Sequence, residues 1–167
     1  MALQRRQVLF LVKFGLLLLL FYGAVSLTFV DTHVILPFTR AITEVSGLAL
    51  RMIGQKVQVS GTVIAGKFAV DIHNGCNGVE AVVFVCAAMF AFDAPRLKRL
   101  AGAAIAALVL EGLNVIRIVS LYMIGLKWPK IFETAHLAIW QTLMFGAAVF
   151  LFLIWTNKVA PRNAASA

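Results

Sequence analysis

From Val8 to Val30 the chain runs as one apolar segment, through LLLLLFYGAV, and this run constrains the fold more than any other feature. About 20 consecutive apolar residues are what a helix needs to cross the hydrocarbon core of a bilayer. Hydrophobic residues make up 62% of the 167-residue chain and the mean hydropathy is +0.94. A soluble domain has roughly half its residues apolar, so the composition belongs to an integral membrane protein. Arg5 and Arg6 precede the first run as they would in a signal peptide. The apolar core nevertheless exceeds the usual ~7–15 residues and no clear A-x-A site follows, so a retained anchor is expected.

The net charge of +8 does not point to nucleic acid, because the basic residues flank hydrophobic runs and form no stripe with interleaved aromatics. Flanking charge is what orientation in a membrane requires. The two cysteines, Cys76 and Cys86, lie about 15 Å apart if they share one helix. A disulfide needs Cα atoms within about 7 Å, so each thiol stands alone. They form no CxxC redox motif either.

The pattern predicts an all-α integral membrane protein, residues 1–167 forming a single membrane domain with about four spans: 8–30, 79–92, 100–124 and 136–155. An outward insert, about 31–77, separates the first two. Within it, Phe38, Ile42, Val45, Ala49 and Met52 recur at helical spacing, while Arg40, Glu44 and Arg51 gather on another face. That predicts an amphipathic helix over 34–54 lying in the interface. Val57/Val59 and then Phe68/Val70/Ile72 alternate with more polar residues around Ala65-Gly66-Lys67, which predicts a short β-hairpin. Asp93-Ala94-Pro95-Arg96-Leu97-Lys98-Arg99 forms a short basic connection on the same side as Arg5, Arg6, Lys158 and Arg162. The positive-inside rule places that side, with both termini, in the cytoplasm. The final NAASA is expected to be a frayed tail.

This topology brings three chemically capable side chains to one outer layer. Cys76 stands at the outer mouth of the second span and His136 at that of the fourth; Arg117 lies in the third, about 10 Å below its outer end. Cys76 sits in NGCNG, whose glycines let the backbone approach closely and whose Asn74 or Asn77 can cap the next helix. A thiol in a helix's first turn feels the positive end of the dipole, so a depressed pKa is expected. An ordinary small buried cysteine is the plain alternative, and it is the reading adopted for Cys86 in AVVFVCAAM. Arg117 either snorkels to the interface or faces the bundle interior, where it can bind a carbonyl or an oxyanion with Asn114 orienting it. Glu111, deeper still, argues that this helix face avoids lipid. His136 suits a general base; His73 is a rival and His33 a distant one. No ligand spacing supports a metal site from His33, His73 and Cys76, and no cofactor is expected.

These blocks resemble the exosortase/archaeosortase family, integral-membrane cysteine transpeptidase-like enzymes that process C-terminal sorting signals. The resemblance extends from about Val57 to Trp155. NGCNGVEA is similar to the family's cysteine motif, NVIRIVSLY to its arginine motif and ETAHLAIWQ to its histidine motif, in the family's order. The resemblance implies Cys76 as nucleophile, Arg117 as stabiliser of substrate or oxyanion, and His136 as base. Asn74, Asn77, Glu80 and Asn114 are the supporting residues. Members commonly have more spans than the four expected here, so the chain resembles the short forms, such as those called exosortase H. The resemblance further implies exported substrates bearing a motif, a transmembrane helix and a basic tail, cleaved at the outer face of a bacterial inner membrane. Thioester formation and transfer to an acceptor are part of that implication. A non-catalytic membrane scaffold or transporter subunit is the alternative.

Overall fold

The computed structural model describes residues 2–159; Arg162 and the NAASA tail lie outside them. Helix α1, Ala2–Val25, is followed by one α turn, Thr28–Val30, a π-helical turn, Asp31–Ile35, and α2, Leu36–Met52. Three short strands come next: β1 Gln58–Ser60, β2 Val63–Ala65 and β3 Ala69–Asp71. Helices α3, Val79–Ala91, and α4, Arg96–Lys127, lead through irregular helical turns over Pro129–Trp140 into α5, Gln141–Val159.

Among the described residues three helices are long and apolar enough to cross a membrane: Gln4–Val25, Arg96–Lys127 and Pro129–Val159. The span expected over 79–92 is a shorter apolar helix of 13 residues. At 1.5 Å per residue it measures about 20 Å, less than the ~30 Å hydrocarbon core. Turn-forming residues limit it at both ends, Asn74–Gly78 before it and Asp93-Ala94-Pro95 after it. In contrast, α4 starts four residues earlier than the expected span and takes in Arg96, Lys98 and Arg99. Arg99 Nη1 donates to the Phe90 carbonyl at 3.1 Å, capping the end of α3 with a cation. Its 32 residues reach about 48 Å, so α4 outruns the hydrocarbon and its far end serves as a post for the sheet.

Two cores follow from this geometry. The first joins α3, α4 and α5 through Ala81, Val85, Met89, Ala103, Ala106, Leu110, Met144 and Ala148. Its small residues let helix backbones approach closely, the usual solution where lipid offers no hydrophobic drive. Phe10 stacks on Phe152, Phe92 meets Trp155 edge-on, and Trp155 Nε1 donates to the Lys98 carbonyl at 3.2 Å. These contacts gather the start of α1, the end of α3, the start of α4 and the end of α5, and with them Arg5, Arg6, Arg96, Lys98, Arg99 and Lys158, at one end. The second core stands at the other end, where Ile42, Leu50, Val57, Ile64, Ile72, Ile118 and Tyr122 join α2 and the sheet to α4.

The insert differs from its expected form in two ways. The strands form an antiparallel sheet of order β1-β2-β3, with Val59, Ile64 and Val70 in register, and not a two-stranded hairpin. Alternation in Val57/Val59 and Phe68/Val70/Ile72 marks the outer strands correctly, but they are not partners: Val63–Ala65 pairs between them. Helix α2 forms as expected, yet it buries Thr39, Ile42, Thr43, Ser46, Gly47 and Leu50, while Val45, Leu48 and Met52 are exposed. A membrane protein can turn small polar residues inward and apolar ones toward lipid, the reverse of a soluble helix. Thr39 and Thr43 satisfy their hydroxyls on the carbonyls of Ile35 and Thr39, one turn back.

The sheet docks closely enough to be tested. A Cβ at Gly66 would stand 2.8 Å from the Lys56 carbonyl oxygen and 2.5 Å from the Tyr122 hydroxyl. Gly66→Ala should lower unfolding stability by about 1–3 kcal/mol, measured by thermal unfolding in detergent. Gly112→Ala, with nothing within 4 Å, should be neutral or stabilising.

Candidate active site

The collar Asn74-Gly75-Cys76-Asn77-Gly78 owes its shape to its glycines. Gly75 (φ 88°) and Gly78 (φ 83°) both occupy the left-handed region that L-residues avoid, bending the chain on either side of Cys76-Asn77. Asn77, 1% exposed, pins this bend to the scaffold. Its Nδ2 donates to Thr39 Oγ1 at 2.9 Å and to Asn74 Oδ1 at 3.3 Å, while its Oδ1 accepts from the Val79 N–H at 3.3 Å at the start of α3. Asn74 Nδ2 in turn donates to Asp31 Oδ1 at 3.0 Å, and the Cys76 N–H to the His73 carbonyl at 2.9 Å. Asn77, the residue before the N-cap Gly78, thus meets the first N–H of α3, and Asn74 is the tie to the turn before α2.

Arg117 projects from α4 about 31 Å along the helix from Arg96. It does not snorkel: it is 3% exposed. Nη1 donates to the Gly75 carbonyl at 3.5 Å and Nη2 to Gln141 Oε1 at 3.4 Å. A guanidinium carries five N–H donors, and its Nε has no partner among the described residues. Donors therefore remain for a carbonyl or oxyanion. Asn114 is not the orienting group. It is fully buried and turned toward the collar: a Cβ at Gly78 would lie 2.9 Å from its Nδ2 and 2.7 Å from Glu111 Oε1. Neither Asn114 nor Glu111 has a side-chain hydrogen-bond partner among the described residues. Gln141, which sequence reasoning missed, holds Arg117 instead.

His136 lies in the π-helical turn Ala135–Trp140. Such turns close i to i+5 hydrogen bonds, and they recur at functional sites. Its Nε2 stands 2.7 Å from Cys76 Sγ, and its ring leans on Phe132 with centroids 5.9 Å apart. In a regular α-helix, residues 136 and 141 would point about 140° apart. The wider turn brings Gln141 to the side that His136 occupies, so one element serves both Cys76 and Arg117.

Cys76, Arg117 and His136 line one cavity of about 180 Å³, together with β3 and the apolar side chains Phe68, Ile118, Leu121 and Phe132. The other candidates lie elsewhere. His73 is exposed and its Nε2 pairs with Asp71 Oδ2 at 3.2 Å; His33 stacks on Phe29. Glu80 lines a smaller cleft beside Gly75, Arg117 and Gln141. Cys86 is half-buried against the Ala103 carbonyl.

The Cys76 thiol is not acidified. Burial raises its pKa above the ordinary value, and outweighs the Arg117 charge and the backbone hydrogen bond that favour thiolate. The depressed pKa expected from a helix start is corrected accordingly: Cys76 precedes α3 by three residues, and desolvation acts on the thiolate directly. The resting form is a neutral thiol whose Sγ stands 2.7 Å from His136 Nε2. Alkylation of Cys76 should therefore reach half its maximal rate at a pH above that of a free thiol. Arg117→Ala, which removes a lowering influence, should move that midpoint further up and slow alkylation about tenfold at pH 7.5. An unchanged midpoint would remove Arg117 from the electrostatics of the site.

The model of the family described as transmembrane exosortase (Exosortase_EpsH) matches residues 1–155. No curated protein and no solved structure matches. The family match spans the cysteine, arginine and histidine blocks together with all the membrane-length helices but the last turn of α5. The chain belongs to the transmembrane exosortase family.

Proposed function

We propose that this chain is a membrane-embedded cysteine protease or transpeptidase that cleaves C-terminal sorting signals of exported proteins, with residues 1–167 acting as one membrane domain. The observation that carries this reading is the 2.7 Å approach of His136 Nε2 to Cys76 Sγ, in a cavity that also holds the buried Arg117. Nucleophile, base and charge stabiliser within one cavity form the constellation that acyl transfer needs. Membership of the exosortase family supports the substrate class.

In the mechanism, His136 Nε2 takes the thiol proton as Sγ attacks the carbonyl carbon of the scissile peptide bond. The oxyanion is held by the guanidinium donors of Arg117 that Gly75 and Gln141 leave free. Collapse breaks the C–N bond, His136 returns the proton to the leaving amine, and a thioester joins the substrate to Cys76. An amine, hydroxyl or water then attacks the thioester, giving its proton to His136, which passes it to Sγ as the Cys76 thiol leaves. Glu80, lining the same cleft as Arg117 and Gln141, places a carboxyl group near the guanidinium.

The end whose short connection and helix termini carry Arg5, Arg6, Arg96, Lys98, Arg99 and Lys158 is assigned to the cytoplasm by the positive-inside rule, and the cavity then faces the exterior of a bacterial inner membrane. A substrate with its own membrane helix and basic tail orients the same way. Its cleavage segment emerges at the layer of Cys76.

Co-expression with an exported protein ending in a hydrophobic helix and a basic tail tests the reading. Processing, followed as a mass shift, should vanish in Cys76→Ala, Arg117→Ala and His136→Ala. Gln141→Ala should slow it about tenfold, the effect of losing one hydrogen bond to a charged group. A mass shift that survives Cys76→Ala would favour a non-catalytic scaffold.

A further inference from the structure

β3 is an edge strand: it pairs with β2 on one side only. Its hydrogen-bonding direction is fixed by its neighbours. The Ile72 N–H donates to the Thr62 carbonyl and the Gly66 N–H to the Phe68 carbonyl, both at 3.0 Å. Phe68 and Ile72 therefore turn their backbone groups toward β2. In an antiparallel ladder that direction alternates, so Val70, opposite Ile64, does the same. The backbone N–H and C=O groups of Ala69 and Asp71 point the other way. Among the described residues no backbone group outside the sheet bonds to either.

Three further observations concern what covers this edge. Ala69 and Asp71 are both exposed and both line the cavity of Cys76, Arg117 and His136. Ala69 has too short a side chain to shield its backbone. The Asp71 carboxylate is drawn back onto its own sheet, accepting from Thr62 Oγ1 at 2.7 Å and pairing with His73 at 3.2 Å. Natural edges are usually obstructed by lysine, proline or a bulge; this one is open where it borders the proposed nucleophile.

We propose that the free edge of β3 receives the cleavage segment of the substrate as an added strand, so that main-chain hydrogen bonds to Ala69 and Asp71 carry an extended peptide across the cavity to Cys76. The inference rests on the cysteine reading above and deepens it by naming how the peptide is held. Strand addition draws its affinity from main-chain bonds and its specificity from alternate side chains. Successive substrate residues point alternately into the cavity and away from it. The inward ones meet Phe68, Leu121 and Phe132, so apolar residues are favoured at those positions. A second copy of this chain on the same edge would fill the space in front of Cys76, which makes the peptide the fitting occupant.

Ala69→Pro tests this, because it removes an outward N–H and leaves the β2–β3 ladder bonds in place. The probe is a co-expressed exported protein whose processing by the unaltered chain is lost in Cys76→Ala. Ala69→Pro should reduce that processing at least tenfold while the alkylation rate of Cys76 stays within twofold; Ala69→Ser should retain it. Processing within threefold in Ala69→Pro, with Cys76→Ala inactive, overturns strand addition and leaves the cysteine reading intact. Loss of a dimer in Ala69→Pro without loss of processing assigns the edge to a second copy and overturns it equally. Should Ala69→Pro disturb alkylation, synthetic peptides spanning the mapped cleavage site, N-methylated one residue at a time, decide the matter. Strand addition requires losses of at least tenfold at alternate positions, and even tolerance along the peptide refutes it.

Discussion

Burying the guanidinium of Arg117 near one end of a membrane bundle is the constraint around which the rest is arranged. A charge withdrawn from water is tolerated only where hydrogen bonds replace hydration. The replacements here are the Gly75 carbonyl and Gln141 Oε1, from two other parts of the chain. Holding Arg117 therefore draws the collar before α3 and the π turn before α5 onto the same stretch of α4. Cys76 and His136 sit on those two elements, and their 2.7 Å approach follows from the same convergence.

The scaffold that permits this combines two kinds of packing. Toward the end that carries Arg96, Lys98 and Arg99, alanines bring α3, α4 and α5 into close contact in what the composition marks as a lipid environment. At the opposite end α4 continues beyond the thickness of the hydrocarbon, and α2 and the sheet build a second core on it. The cavity lies at the junction. A polar network through Asn77, Thr39, Asn74 and Asp31 anchors the collar that carries Cys76, while β3 and the side chains of Phe68, Ile118, Leu121 and Phe132 line the cavity. Set between the polar collar and apolar side chains, the thiol is part-buried, and that burial raises its pKa.

Much of this arrangement was legible in the sequence, and the exceptions have identifiable physical causes. Long apolar runs report α1, α4 and α5 because bilayer thickness sets their length. Cys76, Arg117 and His136 stand out because polar, reactive residues beside such runs are conspicuous. Which face of α2 turns inward was not legible because amphipathic periodicity carries no sign: Val45 and Met52 mark a face but not whether lipid or protein covers it. Val63–Ala65 was missed because a central strand of three residues is too short to show alternation. Gln141 was missed because its alignment with His136 depends on a π turn, and α-helical spacing directs it elsewhere. The thiol's pKa was misjudged because a sequence displays nearby helix starts but not desolvation.

The central claim is that Cys76 becomes acylated by the substrate, and intact-mass analysis of the purified chain incubated with a processed substrate measures it most directly. The account predicts an adduct on Cys76 whose mass equals the substrate portion upstream of the cleaved bond. It should be removed by neutral hydroxylamine, as thioesters are, and should accumulate when acceptor nucleophiles are withheld. Product formation with no hydroxylamine-sensitive adduct at Cys76, together with undiminished processing in Cys76→Ala, would contradict the account.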